Sequence, residues 1–587
     1  MVRAMVMWFL LPQVAGAWKE HVLELPDGGR LGLSTRGRSL RVRWPPGGED
    51  IREVSPADPD AAFHVVSSAD GEGIAVPELG SLALSKQGLL QLRDARGALL
   101  TQTEPLGRCR ALKGQRPQGG HVLRQATLDA GACCQACLQD GNCTDWSTSR
   151  GTCVLLKDAA GWYADEGAMA GRPGLIIFNS STRGLYGRGA GPADAEMLLA
   201  EGSAVSLANR ATYVPYFYSR DGYAVLGHSN VTHFNMMAVR YQSFPEQGRI
   251  AWAFEGAFQL HFMLAPSLAE GTKAYYALTG RPPVPPRHAF GFMACRWGWP
   301  NQRYLEETVQ RFREGHFPLD SVILDFEWFA NSSDYAFTEQ GEAWYEDFGW
   351  NPELFPSPAQ QLKTYLLDQQ LFVAGIRKPR LGNRQLLHLA KERKWIAPEG
   401  GPETYAKGRW LRFSDPTMQR WYAQQMQHYV DSGISFWWND EGENFYYTYH
   451  EWNLAEHQLE TEEHRFFSLN RAFTPGMARL GTGVWTGDVG STWEDLRKTP
   501  GMMLNWALAG APYVACDIGG FFGNPSSELL TRWFQVGTFM PLMRTHSHHD
   551  SVPHWPWLYP DGEIMYLGAK LGAPGSLSVG CVSFHHC

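Results

Sequence analysis

The order of apolar and polar residues changes after a proline-rich segment at residues 282–286. Beyond it, short apolar runs that are typical of buried strands alternate with stretches whose apolar residues recur at helical spacing. Strands are predicted at residues 290–293, 322–325, 371–376, 434–438, 484–486, 513–516 and 539–543, and helices at residues 304–313, 418–429 and 493–508. Strands that alternate with helices favour a parallel sheet, so residues 287–567 are predicted to form a (β/α)8 TIM barrel.

Charged side chains follow five of the predicted strands, at the point where each strand ends. They are Asp325 with Glu327, Asp440, Asp488, Asp517, and Arg544 with His546. Because the strands of such a barrel end at one face, these side chains are expected to lie together there. One such aspartate is as easily explained as a loop cap, whereas five strand ends favour a site. Carboxylates in an aromatic-rich barrel suit glycosidic bond cleavage, in which one group stabilises an oxocarbenium-like centre and another protonates the leaving oxygen.

The first part of the chain has a different pattern, with residues that alternate at period two between Gly, Pro and Asp breaks. Residues 31–34, 40–44 and 89–92 show it, and it returns at 175–178, 213–218 and 223–226. Such short alternating runs are typical of antiparallel strands. We predict an antiparallel β-sandwich formed by residues 18–108 and 175–265, which carries a small insert at residues 109–174.

The predicted insert holds six of the ten cysteines, at positions 109, 133, 134, 137, 143 and 153. Only one histidine, His121, accompanies them, so a disulfide framework is favoured over a metal site, and all 15 pairings remain open. The Cys and Trp spacing resembles the PAN/apple module, and the resemblance implies a glycan or protein ligand. A purely structural role is an equal interpretation. Cys295 and Cys516 are predicted to be buried free thiols.

The N-terminus and the composition indicate the compartment. Residues 1–17 have the pattern of a signal peptide, with Arg3, an apolar run and the small residues Ala15-Gly-Ala17, although a buried strand is the other interpretation. Sequons at Asn142, Asn179, Asn230 and Asn331 fit the secretory pathway, either secretion or an endoplasmic-reticulum or lysosome-like lumen. A net charge of −8 without basic runs argues against nucleic acid. No later stretch has the roughly 18 apolar residues of a membrane span.

Six motifs follow one another between residues 275 and 546, and five of them hold Asp325, Asp440, Asp488, Asp517 and Arg544. Through these motifs, residues 175–567 resemble glycoside hydrolase family 31, the α-glucosidase and α-xylosidase family. Leu324-Asp-Phe-Glu-Trp328 is similar to its Asp-x-Asp segment, with Glu327 in place of the second Asp. Trp438-Asn-Asp-Glu-Gly-Glu443 resembles its Trp-x-Asp-Met-Asn-Glu nucleophile motif, and Trp485-Thr-Gly-Asp488 begins a segment like its acid/base motif. A lead-in at 275–286, Asp517-Ile-Gly-Gly-Phe521 and Arg544-Thr-His546 complete the set in the family's order.

The resemblance implies a retaining α-glycosidase that acts on an oligosaccharide or α-glycoside through a covalent glycosyl-enzyme. Asp440 is the implied nucleophile, with a pKa held low by Arg471 or Arg544, and Asp488 is the implied acid/base. The implied substrate-binding residues are Asp325, Glu327, Trp410, Trp438, Arg471, Trp485, Asp517, Arg544 and His546. No metal and no cofactor are expected, although His548, His549 and Asp550 lie close in sequence to His546. A catalytically silent glycan-binding protein is the alternative.

The chain departs from the family pattern in three places. Lys378 stands where many members have the Asp of Asp-Pro, and Arg412 stands where they have the Asp of Trp-Pro-Asp-Phe. Both changes replace a carboxylate with a cation near the substrate, which allows an acidic or sulfonated sugar as the substrate. For Lys378, a loop cation that faces solvent is an equal interpretation. At the C-terminus, the barrel is expected to lack its last helix, and residues 568–587 are expected to form an irregular tail.

Overall fold

The computed structural model of the chain describes most of the two predicted regions. It covers residues 20–25, 28–46, 60–106, 111–118, 121–140, 143, 145–157, 161–171, 175–179, 185–187, 214–229, 239–244, 248–254, 257–330, 348–397, 410–442, 447–462 and 464–560. The predicted signal peptide, the predicted tail and three of the four sequons (Asn142, Asn230 and Asn331) lie outside these residues.

Twenty strands precede the barrel. In chain order they are β1 (His21–Glu24), β2 (Arg30–Arg36), β3 (Ser39–Trp44), β4 (His64–Ser68), β5 (Gly71–Val76), β6 (Gly80–Ser85), β7 (Leu90–Arg93), β8 (Leu99–Thr103), β9 (Ala111–Gln118), β10 (His121–Thr127), β11 (Asp145–Ser149), β12 (Thr152–Lys157), β13 (Gly161–Gly171), β14 (Ile176–Asn179), β15 (Leu185–Gly187), β16 (Tyr216–Ser219), β17 (Tyr223–Ser229), β18 (Val239–Phe244), β19 (Arg249–Phe254) and β20 (Phe258–Leu264), as counted within the described residues. Fifteen of them form two antiparallel sheets, in the orders β1-β2-β3-β20-β17-β16-β15 and β18-β19-β14-β8-β7-β6-β5-β4.

The two sheets share one apolar core, because the alternating residues of each turn one face toward the other. Leu33 and Val42 from the first sheet and Ile74, Leu82 and Trp252 from the second are fully buried in the same cluster. Both sheets contain strands from before and after the cysteine-rich segment. The antiparallel sandwich of the predicted fold class is therefore confirmed.

The cysteine-rich segment forms a separate five-stranded sheet, in the order β10-β12-β11-β13-β9, with helix α1 (Ala130–Gln139) packed on it. Asp129 caps the helix, since its side chain accepts a hydrogen bond of 2.8 Å from the backbone N–H of Ala132. Disulfides join Cys133 to Cys153 and Cys137 to Cys143, so the predicted disulfide framework is present. Two of the pairings that the sequence left open are thereby assigned.

The remaining elements build the barrel. Its strands are β21 (Phe292–Arg296), β22 (Ser321–Leu324), β23 (Phe372–Arg377), β24 (Ile434–Asn439), β25 (Ser468–Asn470), β26 (Thr482–Trp485), β27 (Val514–Ala515) and β28 (Met543–Thr545), and the helices are α2 (Leu268–Thr279), α3 (Gln302–Glu314), α4 (Pro358–Gln369), α5 (Arg384–Glu392), α6 (Pro416–Ser432), α7 (Thr448–Glu456), α8 (Trp493–Leu508) and α9 (Ser527–Gly537). The strands pair in parallel from β21 to β27, and β28 pairs with β21. A parallel bridge between Ile518 and Thr545 closes the ring, which confirms the predicted barrel.

Sequence pattern explains most of the barrel elements. In α3, Leu305, Val309 and Phe312 lie on one buried face, and Asn301 caps the first turn by accepting a hydrogen bond of 2.9 Å from the Tyr304 N–H.

Among the helices that the structure describes, none has both the length and the apolarity needed to cross a bilayer.

Two strand assignments differ from the sequence-based prediction. The predicted strand at 539–543 was wrong: residues 538–542 form turns and bends after α9, Phe539 is 78% exposed, and the strand begins at Met543. Strand β25 was not predicted because it is short and polar. Its Ser468 and Asn470 are buried and hydrogen-bond to Asn453 of α7, and this tertiary contact has no local sequence signature.

Candidate active site

The carboxyl ends of the barrel strands bring most of the predicted site residues together. Asp440 follows β24 and is buried in the barrel mouth, with 5% of its side chain exposed. One carboxylate oxygen, Oδ2, accepts a hydrogen bond of 2.6 Å from Lys378 Nζ, and the other, Oδ1, pairs with Arg471 Nη2. Burial by itself would raise the pKa of Asp440, but Arg471 and Lys378 outweigh it and hold that pKa below its ordinary value. Asp440 is thus held as a carboxylate.

Asp488 lies across from Asp440, in the loop after β26. Its side chain is 17% exposed, and its Oδ1 lies 3.8 Å from the same Arg471 Nη2 atom that contacts Asp440. One guanidinium nitrogen therefore contacts both candidate catalytic carboxylates. Asp488 is the more accessible member of the pair and has the weaker ion pair.

Behind these two groups lies a fully buried ion pair from the last two strands. Arg544 Nη1 donates a hydrogen bond of 2.7 Å to Asp517 Oδ1. Burial raises the pKa of Asp517 to about 8 against the opposing effect of Arg544. The sequence offered Arg471 or Arg544 as the cation beside Asp440, and the structure places Arg471 there, with Arg544 on Asp517.

Cys295, which was predicted to be a free thiol and is one, joins the same group from β21. Its Sγ accepts a hydrogen bond of 3.2 Å from Arg544 Nη2 and lies 3.2 Å from His546 Nδ1. Burial and the Arg544 charge lower the pKa of His546 far below its ordinary value, so this imidazole is neutral. Sequence reasoning gave Cys295 no part in the site. Its position at the end of the first barrel strand was the available signal.

Aromatic rings form one wall of the site. The rings of Trp438 and Trp485 meet edge to face at 5.7 Å, and the Arg544 guanidinium lies 4.5 Å from the Trp438 ring centroid. His546 also packs against Trp438, at 5.0 Å. Trp410 lies farther out: its ring is 5.3 Å from the guanidinium of Arg380, which in turn pairs with Glu441 beside Asp440.

Two acidic groups follow β22. Asp325 is buried, and its Oδ1 accepts a hydrogen bond of 2.9 Å from the Phe326 N–H. Burial and the neighbouring Glu327 raise the pKa of Asp325 well above its ordinary value. Burial also raises the pKa of Glu327 to about 7, while Arg296 and the N–H groups of Gly298 and Trp299 oppose the shift. Glu327 therefore faces the loop after β21.

The two cations that depart from the family pattern occupy different environments. Lys378 is buried against Asp440 and lies 3.5 Å from Glu441 Oε2. Arg412, in contrast, is 38% exposed and pairs at 3.4 Å with Asp415, the residue that caps α6. Only Lys378 belongs to the site. Sequence reasoning singled out Lys378 as a cation but did not place it on the nucleophile candidate, and it missed Arg380 and Glu441.

Within the described residues, one set of side chains has its potential ligand atoms close enough to hold a metal ion. His548, His549 and Asp550 lie at the barrel mouth with those atoms within 4.8 Å of one another. His549 Nδ1 is 2.8 Å from one Asp550 oxygen and His548 Nδ1 is 3.6 Å from the other. These two contacts between the imidazoles and the Asp550 carboxylate account for the arrangement without a metal ion.

Comparison with known proteins agrees with this geometry. Residues 282–567 match the model of the glycosyl hydrolases family 31 TIM-barrel domain. Human neutral alpha-glucosidase AB is 29% identical over 373 residues, which are 56% of this chain and 38% of that protein. A probable glucan 1,3-alpha-glucosidase of Arabidopsis thaliana is 28% identical over 350 residues, 52% of this chain and 36% of that protein. The matched region thus spans well under half the length of either relative.

Solved structures show the same fold. The crystal structure of a family 31 alpha-xylosidase from a soil metagenome, complexed with xylose, superposes with a TM-score of 0.74 at 20% identity, covering 94% of this chain and 83% of that one. The glucosidase II alpha subunit superposes with a TM-score of 0.68 at 16% identity, covering 94% of this chain and 67% of that one. The barrel, residues 282–567, thus matches the family 31 TIM-barrel domain and has the fold of solved family 31 structures.

Proposed function

We propose that the protein is a retaining α-glycosidase that hydrolyses α-glucosides or related α-glycosides through a covalent glycosyl-enzyme, with Asp440 as the nucleophile and Asp488 as the acid/base. The observation that carries the proposal is the pair of carboxylates bridged by Arg471 at the aromatic-lined mouth of a family 31 barrel. A retaining pair needs carboxyl groups about 5–5.5 Å apart, and a shared contact to one guanidinium nitrogen supports that spacing.

The environment of Asp440 suits a nucleophile. Attack on the anomeric carbon requires the ionised carboxylate, which Arg471 and Lys378 favour. As the bond from an Asp440 oxygen to the anomeric carbon forms, the bond to the leaving oxygen breaks. Asp440 thereby becomes a neutral ester.

The environment of Asp488 suits proton transfer. Its carboxyl group is partly open to the pocket, so it can protonate the leaving oxygen and then accept a proton from the water that hydrolyses the ester. Arg471 contacts both aspartates. It can therefore pair with the Asp440 carboxylate before the ester forms and with the Asp488 carboxylate after Asp488 has given its proton to the leaving oxygen.

The other site residues would hold the sugar. We assign Asp325, Asp517, Arg544 and His546 to hydroxyl groups at the bottom of the pocket, since each is a buried hydrogen-bonding group at a strand end. Trp438 and Trp485 would pack against the apolar face of the ring. Glu327 and Trp410 are assigned to more distant contacts, because Glu327 interacts with Arg296 and the loop after β21, and Trp410 lies against Arg380.

The disulfides support an oxidising compartment as the location of the protein. Cys133–Cys153 and Cys137–Cys143 are stable in an oxidising environment, which supports the secretory pathway as the location.

Turnover of chromogenic α-glycosides by the purified chain tests the function. The substrates are an α-glucoside, an α-xyloside, an α-galactoside and an α-sulfoquinovoside. At least one should be hydrolysed, and Asp440→Ala should abolish the activity because no other carboxylate occupies that position. The matched control is Asp368→Ala, at an exposed aspartate on α4, which should retain full activity. Normal turnover by Asp440→Ala refutes the assignment, and binding without turnover by the wild type supports the glycan-binding alternative.

A further inference from the structure

A row of four alternating charges leads from the outer edge of the site to the nucleophile candidate. Arg380 Nη2 pairs with Glu441 Oε2, the same oxygen lies 3.5 Å from Lys378 Nζ, and Lys378 Nζ lies 2.6 Å from Asp440 Oδ2. Lys378 and Arg380 follow β23, whereas Asp440 and Glu441 follow β24. The row therefore ties the ends of two adjacent strands together.

The backbone at this point is also constrained. Glu441 has a φ of 55°, in the left-handed region that residues other than glycine seldom adopt. On one side of it, the Asp440 N–H donates to the Arg377 carbonyl at 3.1 Å, and on the other, the Gly442 N–H donates to the Tyr449 hydroxyl at 2.9 Å. An unfavourable conformation next to a candidate catalytic group persists only where the surroundings hold it. The two cations on the Glu441 carboxylate, Lys378 and Arg380, contribute to holding it.

Lys378 has a function that Arg471 does not share. The guanidinium of Arg471 is divided between Asp440 and Asp488, whereas the ion pairs of Lys378 among the described residues are with Asp440 and Glu441. An ammonium group this deeply buried needs a negative partner at all times, because an unpaired buried charge is strongly unfavourable. Asp440 is such a partner only while it is ionised.

We propose that Lys378 is a positioning residue that orients Asp440 in the free enzyme and transfers its ion pair to Glu441 when Asp440 becomes an ester. The inference deepens the proposed function, on which its kinetic consequences rest. No proton moves in this exchange: the negative charge leaves Asp440 with the new carbon–oxygen bond, and Lys378 keeps Glu441 as its counterion. Arg380 keeps Glu441 within reach throughout.

The charged groups around Asp440 come from most of the strand ends. They are Asp325 after β22, Lys378 and Arg380 after β23, Glu441 after β24, Arg471 after β25, Asp488 after β26, Asp517 after β27 and Arg544 in β28. Removing Lys378 leaves Arg471 as the one directly paired cation of Asp440 among the described residues. The remaining acidic neighbours then favour protonation of Asp440.

A stability experiment tests the ion pair without requiring any turnover. Unfolding temperatures are measured at pH 7 for the wild type, Lys378→Met, Asp440→Asn and the double variant. Lys378→Met should lower the unfolding temperature clearly in the wild-type background and much less in the Asp440→Asn background, because the closer of the two carboxylate partners of Lys378 is then already gone and the more distant Glu441 remains. Equal shifts in the two backgrounds overturn the proposal. Lys378→Arg, which keeps the charge, should be intermediate and covers the case in which Lys378→Met fails to fold.

A kinetic experiment tests the consequence for catalysis. In Lys378→Met the acid limb of the kcat/KM profile should move to higher pH by about one unit, because an opposite charge at this distance lowers a carboxyl pKa by about 1–3 units. Lys378→Arg should recover part of the shift, and Lys391→Met, at an exposed lysine on α5, should show none. Glu441→Gln should shorten the lifetime of a fluorosugar-trapped intermediate, since Lys378 then lacks a counterion at that stage.

The two experiments separate the two proposals. A wild-type chain that hydrolyses no α-glycoside but shows coupling between Lys378 and Asp440 contradicts the proposed function and supports the ion pair. An active wild type with an unmoved acid limb in Lys378→Met contradicts the role of Lys378 and leaves the glycosidase assignment standing.

Discussion

The two candidate catalytic carboxylates lie on opposite sides of the barrel mouth, in different environments. On one side, Asp440 is buried and both of its oxygens pair with cations, Lys378 and Arg471. On the other side, Asp488 is more exposed, and within the part of the chain that the structure describes its ion pair is the longer contact to Arg471. The first arrangement fixes a charge, whereas the second leaves the carboxyl group partly open to the pocket. Their environments therefore favour different roles for two chemically identical side chains.

The largest expected effect distinguishes the two roles when added azide rescues the activity of the Asp440→Ala and Asp488→Ala variants. The two variants should then give glycosyl azides of opposite anomeric configuration. In Asp440→Ala, added azide can displace the leaving group directly, so the product should be the β-glycosyl azide. In Asp488→Ala, Asp440 still forms the ester on the β face, so azide should attack from the α face and give the α-glycosyl azide. The second variant should lose about 10²- to 10⁴-fold in kcat, the usual contribution of general acid–base catalysis. Chromatography and NMR of the azide products provide the measurement.

The control for this experiment is the leaving group. A substrate whose leaving group needs no protonation should restore the first step of Asp488→Ala and leave Asp440→Ala inactive. If both variants give the same azide anomer, the different roles assigned to Asp440 and Asp488 are wrong.

A second expected effect concerns the charge of the substrate. The cations on the Asp440 side are already paired: Lys378 with Asp440 and Glu441, and Arg380 with Glu441. Because both cations of this row are paired, neither is available to pair with an anionic sugar. We therefore expect neutral α-glycosides to be preferred over sulfoquinovosides and glucuronides by about tenfold or more. Contacts between the anionic sugar and the site carboxylates bring like charges together and cost free energy on the order of 1–2 kcal/mol. Competition kinetics with matched leaving groups measure the ratio.

Arg412 provides the matched control for that expectation. Because Arg412 is exposed and its ion pair among the described residues is with Asp415, Arg412→Ala should change the ratio by less than about twofold and stability by at most about 1 kcal/mol. A preference for the anionic substrate that disappears in Arg412→Ala would show that the outward cation, and not the Asp440 side, selects the sugar.

The sequence predicted the fold well where the signal is local. Helix α8 has the predicted bounds of residues 493–508, and the strands that carry Asp325 and Asp440 were found because apolar runs end at charged residues. It failed where packing decides. Polar β25 is a strand only because Asn470 and Ser468 bond to α7, and Phe539 belongs to an apolar run that the structure leaves as turns and bends.

For the site, the motifs predicted which residues meet but not how their charges are compensated. Arg471 and Arg544 were equal candidates for the cation beside Asp440, and only the barrel register assigns them to different aspartates. Lys378 and Arg412 had the same meaning in the sequence, yet one is buried on Asp440 and the other faces solvent. The direction of a side chain after a strand end depends on its neighbours in space, which a single sequence does not specify.

The smallest expected effect concerns Glu456, a second buried carboxyl group, which we compare with Asp440. Glu456 accepts a hydrogen bond of 2.8 Å from Asn439, the residue before Asp440, and is fully buried. Burial raises its pKa to about 8, against the opposing effects of Asn439 and Arg377. Two cations contact Asp440 directly and hold its pKa below the ordinary value, so the two buried carboxyl groups differ in the direct ion pairs that oppose the effect of burial.

This difference has a measurable sign. The folded state holds the Glu456 proton more tightly than the unfolded chain, so its stabilising contribution is complete below the unfolded pKa near 4.5 and is lost as pH rises toward about 8. The loss is at most about 1.4 kcal/mol per pH unit. Glu456→Gln keeps the shape and the acceptor for Asn439 without the titration, so its unfolding free energy should fall less between pH 5 and 8 than that of the wild type. Glu462→Gln, at an exposed site, should follow the wild type. Parallel curves for Glu456→Gln and the wild type would mean that Glu456 is ionised like Asp440, and that hydrogen bonding from Asn439 with the charge of Arg377 is enough to keep a buried carboxylate charged.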